Sequence, residues 1–139
     1  MKSQICKMIR VAIVEDSDDI REGLAFIINS SAGYLCVKTF ANAEDAVLGM
    51  EEANPEVVLM DINLPGISGI EVLKILRNDP ATAHIPVLAL SANAMPSDIE
   101  KGMQAGFYRY LTKPIKVREF MDTLNAALEI TENKFGHGT

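Results

Sequence analysis

The stretch Val-Val-Leu-Met-Asp-Ile-Asn-Leu-Pro-Gly, residues 57–66, decides the fold. Four consecutive apolar residues, 57–60, lead directly into Asp61, and a Pro-Gly pair follows four residues later. A short apolar run that ends in a turn signal is typical of a strand buried on both faces. Such a strand belongs in a parallel sheet with helices on both sides, and here an acidic residue stands at its carboxyl end.

The segments on either side repeat this pattern. Val11–Val14 and Val87–Leu90 are two further apolar runs, while Tyr34–Phe40 and Phe107–Leu111 alternate more and are predicted edge strands. Amphipathic helices are predicted between the strands, because apolar residues recur there at helical spacing. The clearest of these apolar stripes are Ile20, Leu24, Ile27, Ile28 and Val117, Phe120, Met121, Leu124, Ala127, Leu128. Five β–α units in alternation predict an α/β fold: a right-handed, doubly wound, five-stranded parallel sheet with five helices.

Local signals mark where the helices begin and end. Ser68 with Glu71 three residues later forms a capping box ahead of the third helix. Pro96 suits the first turn of the fourth helix, and Gly106 suits its C-terminal cap. Gly66 and Gly69 are predicted turn residues that adopt unusual backbone angles.

Length and composition exclude several function classes. The 139 residues suit one domain, predicted over 9–130 with tails at 1–8 and 131–139. No segment reaches the roughly 20 apolar residues of a membrane helix, and the first ten residues lack a signal-peptide core. The net charge of −6 argues against direct nucleic-acid binding, which needs a basic face. Cys6 and Cys36 are too few for a disulfide framework, so we expect reduced thiols in a cytoplasmic protein.

Polar residues cluster where the predicted strands end. Glu15 and Asp16 follow the first strand, Asp61 the third, Ser91 ends the fourth and Lys113 follows the fifth. Ligands of a doubly wound sheet bind beyond the carboxyl ends of its strands, so these groups are expected to meet. Several carboxylates at one place must either hold protons or bind a cation, and an all-oxygen set favours Mg²⁺.

Asp61 is the candidate nucleophile at this rim. An aspartate beside a cation and a lysine is suited to accept a phosphoryl group, because phosphoryl transfer depends mainly on positioning and charge neutralisation. Lys113 can neutralise one phosphoryl oxygen, and the Ser91 hydroxyl can donate a hydrogen bond to another. The residues alone leave open a different role for Asp61, that of a loop acid which caps a turn.

Four motifs together resemble bacterial two-component response-regulator receiver domains, including the chemotaxis type, over residues 9–130. They are Val-Glu-Asp (14–16), Leu-Met-Asp-Ile-Asn-Leu-Pro-Gly (59–66), Leu-Ser-Ala (90–92) and Tyr-Leu-Thr-Lys-Pro (110–114). The first half is similar to receivers of helix-turn-helix regulators, and Ser-Ala-Asn-Ala-Met-Pro (91–96) to receivers of hybrid histidine kinases. The chain departs from the commonest pattern in having Glu15 instead of aspartate and Ser91 instead of threonine.

The resemblance implies a flavodoxin-like sheet in the order 2-1-3-4-5 and a complete set of roles. Asp61 would be the phosphoacceptor, and Mg²⁺, or Mn²⁺, would be held by Asp16, Asp61 and the carbonyl of Asn63. Glu15 would lie behind these ligands without touching the ion, or would bind it through water. Ser91 and Tyr110 would form the switch, and Lys113–Pro114 would be a cis peptide bond. These residues are Glu15, Asp16, Asp61, Asn63, Ser91, Tyr110, Lys113 and Pro114.

The same resemblance implies partners and an output. The phosphoryl donor would be a histidine kinase or a histidine phosphotransfer protein, and the chain would catalyse only its own phosphorylation and dephosphorylation. The fourth helix, fifth strand and fifth helix would form the surface that changes, and a homodimer could form through it. Two other classes compete: a phosphatase of the haloacid dehalogenase type, whose nucleophile follows the first strand, and a flavin-binding electron carrier, which needs a hydroxyl-rich loop where this chain has acids.

Overall fold

The computed structural model describes residues 8–91, 95–113 and 116–136, in which strands and helices alternate without exception. The five strands are β1 (Ile9–Val14), β2 (Tyr34–Phe40), β3 (Val57–Asp61), β4 (Val87–Ser91) and β5 (Arg109–Thr112). The five helices are α1 (Asp18–Ser30), α2 (Ala43–Ala53), α3 (Gly69–Asn78), α4 (Pro96–Ala105) and α5 (Val117–Gly136). Helix α5 therefore runs across the domain end predicted at residue 130.

All strand pairs are parallel, and the sheet order is β2-β1-β3-β4-β5, as the resemblance implied. The α/β, doubly wound prediction is confirmed, and β2 and β5 are the edge strands. The predicted start of β5 at Phe107 is wrong, because Phe107 lies buried in the core and the strand begins at Arg109. The extra residue in β2 opposite the Val11–Ala12 step is a bulge, which bends this edge strand.

Successive residues of each central strand face opposite sides of the sheet, and this alternation separates two hydrophobic cores. Val11 and Ile13 pack with α1 and α5 on one face, where Phe120 and Leu124 are fully buried. Ala12 and Val14 pack with α2 and α3 on the other face. Because both faces of β3 and β4 are covered, the interiors of these two strands are wholly apolar, and their polar residues, Asp61 and Ser91, stand at the strand ends.

Helix boundaries follow the predicted signals. Ser68 forms the capping box with Glu71, Pro96 begins α4, and Gly106 ends it in the left-handed region at φ 114°. Gly66 also has a positive φ, 81°, as predicted. The prediction for Gly69 is wrong in its reason: it is the first residue of α3, and a Cβ there would lie 2.6 Å from the carbonyl oxygen of Asp61. Close packing against β3, not an unusual angle, requires this glycine.

The predicted cis peptide bond at Pro114 and the cysteine at position 6 lie outside the described residues. Among the helices that are described, none has the length and apolar character needed to cross a membrane.

Candidate functional site

The carboxyl ends of β1, β3, β4 and β5 bring the predicted site residues to one rim. Asp61 and Ser91 are the last residues of β3 and β4, and Glu15 directly follows β1. All three are buried, with 2%, 1% and 0% of their surface exposed. Lys113 follows β5, and its backbone N–H donates to the Ser91 carbonyl at 2.8 Å. Parallel pairing thus converts residues far apart in sequence into neighbours.

Lys113 is the cation of the cluster. Its Nζ lies 3.0 Å from Glu15 Oε1 and 3.1 Å from Asp61 Oδ2, so one ammonium serves two buried carboxylates. Burial alone would lower the pKa of Lys113, but the close contacts with the Glu15 and Asp61 carboxylates and their negative charges outweigh it and raise that pKa. Lys113 is therefore held in its charged form, between the two carboxylates whose charge it offsets.

The Asp61 carboxylate is fixed at both oxygens. Oδ1 accepts a hydrogen bond from the Asn63 backbone N–H at 2.8 Å, and Oδ2 faces Lys113. Gly69 lets the start of α3 pack directly on the Asp61 backbone, which holds the residue from the other side. Such an arrangement orients a carboxylate before any reaction partner arrives.

Glu15 is held by its neighbours but is not fully satisfied. Its Oε2 accepts from the Ser17 N–H at 3.0 Å, while Oε1 has only the ion-pair contact with Lys113. That contact has ion-pair distance without hydrogen-bond angles, so Oε1 is a buried oxygen lacking a hydrogen-bond donor among the described residues. Burial, as the largest cause, raises the pKa of Glu15, and the charge of Asp61 adds to the rise.

The acidic residues suit a hard divalent cation. Carboxylate oxygens of Glu15, Asp16 and Asp61 lie within 4.8 Å of one another, and Asp16 is exposed while the other two are buried. The donor set is oxygen only, and the unsatisfied Glu15 Oε1 points to a missing positive group. Lys113 offsets only one of the three negative charges. These residues therefore fit Mg²⁺ or Mn²⁺, with an open side toward solvent at Asp16.

The two predicted switch residues occupy different surroundings. Ser91 Oγ accepts a hydrogen bond from the Asn63 side-chain amide at 3.4 Å, which ties it to the loop after Asp61. Tyr110, on β5, is half-buried and packs against the core on the α2–α3 side. Its ring also lies against Gly102 of α4, where an added Cβ would come within 3.0 Å of the ring. The structure thus brings Ser91 to the acids and places Tyr110 against α4.

The comparisons with known proteins agree with this geometry. The response regulator receiver domain model matches residues 11–125, which is most of the chain. This chain belongs to the response regulator receiver domain family. The receiver domain is 40% identical over 118 residues to the polar-differentiation response regulator DivK of Brucella ovis, covering 85% of this chain and 94% of DivK. The phosphatase and the flavin carrier are therefore set aside, and this receiver domain acts in two-component signalling.

Solved structures support the same assignment. The receiver domain superposes on the chemotaxis response regulator CheY4 of Vibrio cholerae with a TM-score of 0.80 and 26% identity, covering 87% of this chain and 99% of CheY4. The response regulator domain of Thermotoga maritima CheB gives a TM-score of 0.79 at 27% identity, covering 88% and 98% of the two chains. Both are similar in fold over nearly their whole length.

Sequence reasoning missed two groups that build this receiver site. The Ser17 N–H binds the Glu15 carboxylate, and its hydroxyl caps α1. Arg21 donates from Nη1 to the Glu15 carbonyl at 2.8 Å and also pairs with Asp18. The Asp18–Arg21 spacing of three residues could have indicated the ion pair, but the carbonyl contact depends on how the chain turns after β1 and has no local signature.

Proposed function

We propose that this receiver domain accepts a phosphoryl group on Asp61 from a phosphohistidine of a histidine kinase or a histidine phosphotransfer protein, in the cytoplasm. One carboxylate oxygen of Asp61 attacks phosphorus, the N–P bond breaks, and the imidazole leaves with the bonding electrons. The observation that carries the proposal is the Asp61 carboxylate, held between Lys113 Nζ at 3.1 Å and the Asn63 N–H at 2.8 Å. The orientation of the nucleophile is thus set before the donor binds.

The other rim residues supply charge. Lys113 can turn from the carboxylates to a phosphoryl oxygen, because its Nζ lies 3.1 Å from Asp61 Oδ2 and its side chain is partly exposed. Asp16, Asp61 and the Asn63 carbonyl would hold a Mg²⁺ or Mn²⁺ ion, and Glu15 would lie behind these ligands or bind the ion through water. The bound ion would neutralise charge on the phosphoryl group. The chain turns over no external substrate and promotes only its own phosphorylation and hydrolysis.

The output would be a change of the surface formed by α4, β5 and α5. The Ser91 hydroxyl exchanges its 3.4 Å contact with Asn63 for a phosphoryl oxygen, which draws it toward Asp61. Tyr110, whose ring lies half-buried against Gly102, would then turn into the space behind β4. A coupling of about 1–3 kcal/mol is enough to shift the populations usefully.

Charged residues on that surface support a role in partner contact. A groove of about 570 Å³ lies between β5 and the start of α5, lined in part by Arg109, Lys116, Arg118, Glu119 and Asp122. Mixed charges of this kind favour selective association with a partner or with a second copy of the chain. We do not assign direct nucleic-acid binding to it, since the whole chain carries a charge of −6.

Incubation with acetyl phosphate and Mg²⁺, followed by intact-mass measurement, tests the proposal. One added phosphoryl group is expected, and it should be absent from Asp61→Asn and from samples with chelator. Asp79→Asn, a carboxylate change in the α3 cap at the opposite end of the sheet, is the matched control and should still be labelled. Labelling that persists in Asp61→Asn would contradict the assignment of the phosphoacceptor.

Beryllofluoride, a phosphoryl mimic, tests the switch separately. In the parent, amide signals of α4 and β5 should shift on its addition, and in Ser91→Ala the shifts should be confined to the rim. If α4 and β5 respond equally in both proteins, the hydroxyl is not the link.

A further inference from the structure

We infer that Arg21 is a positioning residue for the acidic rim, acting through the peptide that joins Glu15 to Asp16. The inference rests on the proposed function, because that function gives Asp16 its role as a metal ligand. The contact that carries it is the 2.8 Å hydrogen bond from Arg21 Nη1 to the Glu15 carbonyl oxygen. Neither composition nor the resemblance to receiver domains assigns this arginine a task.

The Glu15 carbonyl needs a donor that the sheet does not provide. Glu15 follows the last residue of β1, and the pairings of β1 with β2 and with β3 both end at Val14. Glu15 is fully buried, and its own N–H donates to the Phe40 carbonyl of β2 at 3.0 Å. A buried carbonyl without a partner costs about as much as a lost hydrogen bond, so the donor must come from outside the ladder.

Arg21 can reach this carbonyl because of the direction of side chains on a helix. Long helical side chains point back toward the helix N-terminus, and Arg21 lies one turn after the Ser17 cap of α1. The guanidinium thereby returns to the end of β1, and only 15% of its side chain is exposed. Since the start of a helix disfavours cations, this arginine is stabilised by the Glu15 carbonyl and by Asp18, not by the helix dipole.

Holding that carbonyl also places Asp16. The Glu15 carbonyl, the Asp16 N–H and the Asp16 Cα share one rigid peptide plane, so a bond to one end orients the other. Asp16 is exposed and lies between two held peptide planes: Arg21 holds the one before it through the Glu15 carbonyl, and the Glu15 carboxylate holds the one after it through the Ser17 N–H. Arg21 therefore fixes one of the two planes that set the position of the Asp16 Cα, from which the carboxylate extends.

Binding of Mg²⁺ alone, measured by calorimetry on the full chain, tests the inference. Arg21→Met keeps much of the aliphatic stem and removes the donors, and its Kd for Mg²⁺ should rise about tenfold, the lower range for partners that orient metal ligands. Arg21→Lys, which retains one donor group, should recover part of the affinity. Partial recovery by lysine separates a donor role from simple packing.

Arg10→Met is the matched control. Arg10 also donates to a backbone carbonyl, that of Asn54, but at the opposite end of β1. We expect it to lower the melting temperature comparably while leaving the Mg²⁺ Kd within twofold of the parent. A folded Arg21→Met protein that binds Mg²⁺ within twofold of the parent, or an equal loss of affinity in Arg10→Met, overturns the inference.

A second measurement keeps this outcome distinct from failure of the proposed function. In the metal-free protein, the amide and side-chain carboxyl signals of Asp16 should move in Arg21→Met and stay unchanged in Arg10→Met. If the parent binds no Mg²⁺, the proposed function fails, and these metal-free signals alone decide whether Arg21 positions Asp16. Unmoved Asp16 signals in Arg21→Met contradict the positioning role whatever the metal does.

Discussion

The two ends of the sheet solve the problem of buried polar groups in opposite ways. At the carboxyl end, Arg21 binds a backbone carbonyl, but the charged side chains of the site contact each other: Lys113 lies between Glu15 and Asp61. At the amino end, charged side chains contact the backbone. Arg77 donates to the carbonyls of Ala83, Ile85 and Gly106 at 3.2, 2.7 and 3.4 Å, and Arg10 donates to that of Asn54.

This difference separates function from stability. The guanidinium groups of Arg10 and Arg77 satisfy carbonyls far from the rim, and these carbonyls exist in every state of the folded chain, so their contacts stabilise the fold without acting on the site. Two buried carboxylates that share one lysine repel each other and remain under-neutralised, which costs stability but leaves a site able to take up positive charge. Proteins commonly accept such a cost at functional sites. The following predictions test whether the two ends behave as differently as their contacts indicate.

The largest effect is expected at the carboxyl end, for loss of the shared cation. Lys113→Met should slow phosphorylation by acetyl phosphate at least about 100-fold, since removing one group that stabilises developing charge has effects of this size. The rate of mass increase under saturating Mg²⁺ measures it. Lys116→Met, which removes an exposed lysine three residues away, should react within about twofold of the parent; similar losses in both variants would mean that general charge, not the rim contact, matters.

At the amino end, Arg77→Met should lower stability without touching the chemistry. Three carbonyls lose a charged donor, and hydrogen bonds to charged groups each contribute about 1.5–3 kcal/mol, so we expect a loss of about 2–3 kcal/mol after partial rehydration. Urea unfolding measures this, with Arg118→Met on the exposed side of α5 as the control. If the phosphorylation rate of Arg77→Met falls together with its stability, the two ends of the sheet do not have separate roles.

Much of this contrast was visible in the sequence. The runs at β1, β3 and β4 predicted buried parallel strands because apolar side chains occupy both faces, and the parallel order then placed Glu15, Asp61, Ser91 and Lys113 at one rim. What escaped prediction depends on close approach in three dimensions. Gly69 packs on the Asp61 carbonyl, and Phe107 is held by the core and not by the ladder. Neither contact is encoded by nearby residues, so no local pattern could reveal it.

Relief of repulsion at the rim should give a smaller effect of opposite sign. Without metal, Asp61→Asn should stabilise the chain by about 1 kcal/mol, because Lys113 then pairs with Glu15 alone and one buried negative charge is gone. The asparagine still offers an oxygen to the Asn63 N–H. Urea unfolding in chelator measures the gain. Saturating Mg²⁺ should shrink or reverse this gain, because the ion stabilises the protein that binds it more tightly, here the parent. A ligand at 100 times its Kd stabilises the folded state by about 2.7 kcal/mol. A variant less stable than the parent in chelator would refute the repulsion argument.

The smallest effect concerns Tyr34, at the amino end of β2. Its hydroxyl donates to Asn125 Oδ1 and so links β2 to α5, and only 6% of the residue is exposed. Tyr34→Phe removes that bond and should cost about 0.5–1 kcal/mol at neutral pH. Tyr108→Phe, a half-buried tyrosine near β5, controls for the loss of one hydroxyl. No change in phosphorylation rate is expected from either.

The pH dependence of this small loss tests its cause. Burial raises the pKa of Tyr34 above its ordinary value of 10.0. Above pH 10.0 the unfolded chain therefore releases the phenolic proton before the folded chain does, the folded state binds more protons, and stability falls as pH rises. Phenylalanine has no such proton, so the advantage of the parent over Tyr34→Phe should be constant from about pH 7 to 9 and shrink above 10. Unfolding free energies measured across this range decide the matter: an advantage that stays constant above pH 10 would show that burial does not hold the Tyr34 proton.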